Sequence, residues 1–209
     1  MHHIGNRRRG DPVVRVALAV NLCLMLLAPS APGQNMSDEA RLDRLRADLQ
    51  KYQDPVVAIH DGYFSTLGCI MIDKPGGPGQ VPYEPGGMGV HFLNVQAISP
   101  VPDPARPQVL IYEPDGGRLR LVAAEWFIPL ATGVKERPQL LGHAFDGPMQ
   151  GHHPLMPVDM SHYDLHVWLF KSNPKGMFKP TNPTVTCSGY TYRMVEEAPK
   201  LVSVAAPKP

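Results

Sequence analysis

Apolar residues first recur at helical spacing. Leu42, Leu45, Leu49 and Tyr52 lie three or four apart, with arginine and aspartate between them. Ser37 offers a capping oxygen ahead of them, and Asp38 and Glu39 suit the positive end of a helix. Asp54-Pro55 is a second start signal, an N-cap followed by proline at the first helical position. It predicts a short helix over 55–60, closed by Gly62. Beyond Tyr63 the period changes from helical to alternating. Residues 88–94, 108–113, 118–128 and 163–170 read as strands, and 184–187 and 189–195 as one or two more. Pro114-Asp115-Gly116-Gly117 joins the second and third of these as a hairpin. Lys74 to Gly79 and Glu84 to Gly87 are expected to be irregular and to bracket a mobile loop, with a further connector from Pro100 to Pro107.

No helical pattern separates the strands, so parallel βαβ units are not expected. The fold class this predicts is α+β: N-terminal helices packed on a mostly antiparallel β-sheet, in a single loop-rich domain over 37–195. Residues 196–209 are expected as a disordered tail. Proline sharpens the picture. There are 24 in 209 residues, more than twice the usual share of about 5 %, so regular elements should be short and well separated.

The first 33 residues have the form of a signal peptide. Arg7, Arg8, Arg9 and Arg15 precede an apolar run from Val16 to Ala28, too short to span a bilayer comfortably, and small residues follow. The mature chain is therefore expected to be secreted or periplasmic, with no membrane anchor after cleavage. The whole chain carries a formal charge of +1. Without the leader's four arginines and one aspartate it falls to about −2, which offers no footprint for nucleic acid. Of the three cysteines, Cys69 and Cys187 fall outside the leader. An even pair in an oxidising compartment predicts a disulfide, the alternative being two buried thiols.

Candidate chemistry comes from the alternation within strands. Leu119, Leu121, Ala123, Glu125 and Phe127 fall on one face by period two, which sets a carboxylate in an apolar row. Such a group must find a donor, shift its pKa or bind a cation; pairing with an arginine, or a face turned outward, would remove the problem. His91 has Gly89 and Leu93 on its face. His166 shares a face with Asp164, Trp168 and Phe170, while Leu165, Val167 and Leu169 line the other side, which suggests a central strand. If His91, Glu125 and His166 meet in one concavity, two imidazoles and a carboxylate can bind a divalent metal ion such as zinc, iron or copper, with coordination positions left open. Buried histidines satisfied by ordinary hydrogen bonds are the competing explanation.

Five of the nine histidines fall between His143 and His166, together with Met149, Met156 and Met160. His143, His152, His153 and His162 occupy a Pro/Gly-rich stretch expected to be a flexible loop. As secondary metal candidates they would make a copper or zinc buffer, although ordering a loop offsets part of the ligation energy. No Gly-x-Ser-x-Gly, no phosphate-binding loop, no His-Glu-x-x-His and no Cys-x-x-Cys is present.

Several blocks in order resemble an uncharacterised family of exported bacterial proteins. They are Met88-Gly89-Val90-His91-Phe92-Leu93-Asn94, Pro107 to Pro114, Glu125-Trp126-Phe127-Ile128-Pro129, and Tyr163 to Phe170 followed by Asn173-Pro174, Gly176-Met177-Phe178, Asn182-Pro183 and Cys187. The resemblance implies export and a shared domain over roughly 45–190, and no activity. Two functions then compete on the residues alone. One is an exported domain that binds a metal ion or small-molecule ligand in a sheet concavity, with or without catalysis. The other is a non-catalytic envelope protein that contacts a protein partner and carries structural histidines.

Overall fold

In a computed structural model, residues 36–152 and 156–203 are described; the expected signal peptide, His153 and the end of the expected tail at 204–209 lie outside them. Two helices open the described chain, α1 (Asp38–Leu49) and α2 (Pro55–His60). Both caps are made as their residue types demand. Ser37 accepts from the Ala40 amide at 3.2 Å, and Asp54 from the Val56 amide at 2.9 Å.

The rest is mostly β. The strands are β1 (Phe64–Ile72), β2 (Gly86–Leu93), β3 (Val109–Asp115), β4 (Arg118–Pro129), β5 (Gln139–Leu140), β6 (His143–Ala144), β7 (Asp146–Met149), β8 (His162–Val167) and β9 (Arg193–Glu196). Seven form one curled mixed sheet in the order β7-β8-β4-β3-β2-β1-β9, and β5 with β6 forms a small second one. Only β1–β9 is parallel among these pairings. Gly116 and Gly117 turn the β3–β4 hairpin, both at positive φ (57° and 81°), as a two-residue turn of this hand requires.

One side of the sheet carries Val90, Phe92, Leu110, Tyr112, Trp126 and Leu165. These share a buried cluster with Leu45, Leu49, Tyr52 and Ala58 from the helical segment. The Tyr112 hydroxyl donates to the Tyr52 carbonyl at 2.8 Å, and Arg46 Nε to the Leu169 carbonyl at 3.0 Å. The other side carries Val109, Ile111, Ala123, Phe127 and Trp168. Cys69 on β1 and Cys187 form a disulfide, with Cα atoms 5.7 Å apart.

Four features depart from the pattern in the sequence. Gly86 and Gly87 begin β2 rather than an irregular loop, because the chain near Asn182 presses against them. A Cβ on Gly87 would lie 2.6 Å from the Val185 side chain, and one on Gly86 2.9 Å from the Asn182 backbone. Asp146–Met149, disguised by Gly147-Pro148, is an edge strand, where proline is tolerated. Residues 184–187 form no strand, and only Arg193–Glu196 of the C-terminal stretch pairs as one.

The fourth departure shapes the site. Residues 196–203, expected as disordered tail, are held on both sides. The Val81 amide donates to the Pro199 carbonyl and the Leu201 amide to the Gly79 carbonyl; on the opposite flank the Gln150 amide donates to the Lys200 carbonyl and the Val202 amide to the Pro148 carbonyl, all at 2.8–2.9 Å. Ala198 is buried beside Tyr83 and Met149. This segment ties the chain after β7 to the chain after β1, so the curl is drawn closed at one end.

Candidate metal centre

A single register line runs across the sheet through Leu93, Val109, Glu125 and His166. Glu125 and His166 are thus direct neighbours on antiparallel strands, with side chains on one face. His91 lies two residues before Leu93, on that same face and opposite Ile111. The sheet's curl lets it reach across β3. Its Nε2 is 3.3 Å from Glu125 Oε2, and His166 Nε2 is 3.6 Å from the same oxygen.

The apolar row around Glu125 is not the one that strict alternation predicts. Ile111 faces Ala123, whereas Tyr112 faces Leu121, so Val122 is an extra residue in β4. The bulge rotates the strand. Leu119 and Leu121 pack on the helix side, and Ala123, Glu125 and Phe127 face the opposite side.

Glu125 is 5 % exposed and His166 1 %. Neither imidazole contact to Glu125 has the direction of a hydrogen bond. Glu125 Oε2, both ring nitrogens of His166, His91 Nδ1 and Asp164 Oδ1 are buried without a hydrogen-bond partner. Each orphaned buried polar group of this kind is expected to destabilise a fold by about 1–3 kcal/mol. Burial pushes the Glu125 carboxyl up, but His166 and then His91 outweigh it and hold it below the ordinary carboxylate range. Burial pulls the His166 imidazole below its ordinary value against the opposing pull of Glu125 and Asp164.

His91 and Glu125 line a cavity of about 170 Å³ with largely apolar walls that include Met88, Val109 and Phe127, and His166 lies behind Glu125 rather than in its lining. That volume is well below the roughly 300–1,000 Å³ of a drug-sized pocket, so it suits an ion with water or a very small molecule. Among the described residues lining it there is no lysine and no arginine.

The loop histidines do not behave as one group. His143 sits on β6, exposed, stacked on Phe178 with ring centroids 3.7 Å apart and away from this cavity. His152 and His162, expected in a flexible loop, are instead buried at 8 % and 1 % exposure and line the same cavity as Glu125. His162 is the first residue of β8, where its backbone is held between β4 and β7. His152 is fixed by Glu196, whose Oε2 lies 3.1 Å from its Nδ1. Met156 and Met160 line the cavity too, whereas Met149 packs in the core and accepts from the Tyr83 hydroxyl at 3.4 Å. β8 itself is one strand in from the sheet edge rather than central.

Asp164 and Glu196 were not foreseen as site residues. Asp164 had a visible signal, since His162, Asp164 and His166 alternate along one strand and so share a face. Glu196 had none, because the sheet's curl alone brings β9 to the chain that follows β7. No protein-family model, curated protein or solved structure matches this chain.

Proposed function

We propose that this chain is an exported protein that binds a divalent first-row transition ion through His91, Glu125 and His166. The observation that carries the proposal is the convergence of two imidazole nitrogens on one buried, otherwise unpartnered carboxylate oxygen at 3.3 and 3.6 Å. Bonds of about 2.0–2.1 Å in a tetrahedron set neighbouring ligand atoms about 3.3–3.4 Å apart, so each imidazole already stands near ligand spacing from the carboxylate oxygen. An ordinary ion pair would instead be aligned as a hydrogen bond, and one buried this deeply gains little unless it is.

Three protein ligands leave at least one coordination position facing the cavity. Water held there would be acidified toward neutral pH, and a small substrate's oxygen could be polarised in its place. The small, apolar-walled cavity favours a compact substrate if the centre is catalytic. Export is supported by the basic-then-apolar leader and by the Cys69–Cys187 disulfide, which suits an oxidising compartment. Among the described residues no helix is long and apolar enough to cross a membrane. The N-terminal helices fit a bracing role on the far side of the sheet, as the α+β expectation has it.

Elemental analysis of protein purified without an affinity tag tests the proposal. Metal that survives dialysis at a fixed ratio to protein and falls by one equivalent in His91→Ala is the expected result. Metal-free protein whose melting is unchanged by zinc, copper or iron would leave the envelope-partner alternative, with structural histidines, in its place.

A further inference from the structure

We infer that the same cavity contains a second cation site, formed by His152, His162 and Asp164. Each offers one ligand atom, and these atoms lie within 4.8 Å of one another. Two come from β8, where His162 and Asp164 alternate on the face that also carries His166. The third, His152, comes from the chain after β7.

Three observations make this more than proximity. First, the pieces are buried and fixed: His162 and Asp164 are each 1 % exposed, and Asp164 Oδ2 accepts from the Tyr83 hydroxyl at 3.1 Å. Second, the histidines are oriented as metal ligands usually are. Glu196 engages Nδ1 of His152 at 3.1 Å, and the Met160 carbonyl lies 3.2 Å from Nδ1 of His162. Both arrangements leave Nε2 for the site, and a carboxylate or carbonyl behind the other ring nitrogen fixes the tautomer and raises ligand basicity. Third, His162 Nε2 lies 3.7 Å from Asp164 Oδ2, while Asp164 Oδ1 is buried without a partner and faces His166 Nδ1 at 3.9 Å. Asp164 thus lies between the two sets of ligands.

The charge count points the same way. Glu125 and Asp164 line the cavity and Glu196 is buried behind His152, and among the described residues of the lining there are imidazoles and no lysine or arginine. Buried carboxylates are paired with cationic groups or bind metal. The donor set of two imidazoles and one carboxylate, with Met156 and Met160 in the same wall, suits a borderline ion such as zinc or copper better than magnesium or calcium.

The test is zinc titration of the full chain by calorimetry, with bound metal counted after dialysis. Two equivalents are expected. His162→Ala should reduce them to one, and His91→Ala should remove the other. Because His162 is buried, Glu196→Gln provides a gentler variant: it keeps all three ligands, and should weaken one equivalent about 10–100-fold while the other is unchanged. A single equivalent that ignores both His162→Ala and Glu196→Gln would overturn the second site, as would no binding at all. A single equivalent lost in His162→Ala and kept in His91→Ala would support the second site and overturn the first.

Discussion

Replacing Glu125 by glutamine separates a metal ligand from a structural ion pair by its dependence on zinc. The substitution keeps the side chain's shape and removes the charge from a position 5 % exposed to solvent. His166 and His91 hold the Glu125 carboxyl below its ordinary range, so the charge contributes stability in the metal-free protein and the variant should melt lower than the parent in EDTA. In a domain of this size each kcal/mol moves the melting temperature by about 2–4 °C. Added zinc at a hundred times the Kd of this site would stabilise the parent by about 2.7 kcal/mol, or roughly 5–11 °C, beyond whatever zinc does to the variant through the second site. A purely structural pair predicts the same difference between parent and variant with and without zinc. Thermal melts followed by circular dichroism, in EDTA and in zinc, decide the matter. A gap between parent and variant that does not widen in zinc would refute the ligand assignment.

Other consequences are independent of the site. Glu113 is 3 % exposed, and although burial pushes its carboxyl up, hydrogen bonds from Lys171, Arg120 and the Thr186 amide hold it below the ordinary value. A depressed folded pKa contributes stability that is fully present above the unfolded pKa of about 4.3 and is lost as pH falls through the folded value. Glu113→Gln should thus lose roughly 1.5–3 kcal/mol at pH 7 in denaturant titrations and flatten the acid limb of the stability curve. Reducing the Cys69–Cys187 bond, which spans 118 positions, should lower stability by about 4–5 kcal/mol in the chain-entropy account, with no thiol labelled in native protein beforehand. His143→Ala should leave zinc stoichiometry unchanged, since that ring stacks on Phe178 outside the cavity; a lost equivalent would return the surface loop to consideration.

Alternation on a strand made Glu125, His91 and His166 visible as candidates, because period two reports a face without any knowledge of partners. The same rule misplaced Leu119 and Leu121, since a bulge at Val122 depends on the pairing with β3 and leaves no mark in the apolar pattern. His162 was mistaken for a loop residue, and the burial of His152, which does lie outside any strand, was not foreseen, for a related reason. Their proline- and glycine-rich surroundings report local backbone preference, whereas their burial comes from contacts distant in sequence. Glu196 fixes one of them, and β4 pairs beside the other. Gly87 shows the same limit. Its type reads as a turn until the chain near Asn182 is laid against it. The helices, the hairpin and the disulfide were readable because their determinants are local caps, turn residues and cysteine number. The closing of the curl by residues 198–202 was not, because it rests on backbone hydrogen bonds that carry no side-chain signature.

The central claim is where the metal sits. Anomalous diffraction at the zinc edge, from crystals of the full chain grown with zinc and washed free of excess, locates it directly. The expected result is a peak about 2.0–2.2 Å from ligand atoms of His91, Glu125 and His166. A peak confined to exposed histidines such as His143, or no peak at these three side chains, would contradict it.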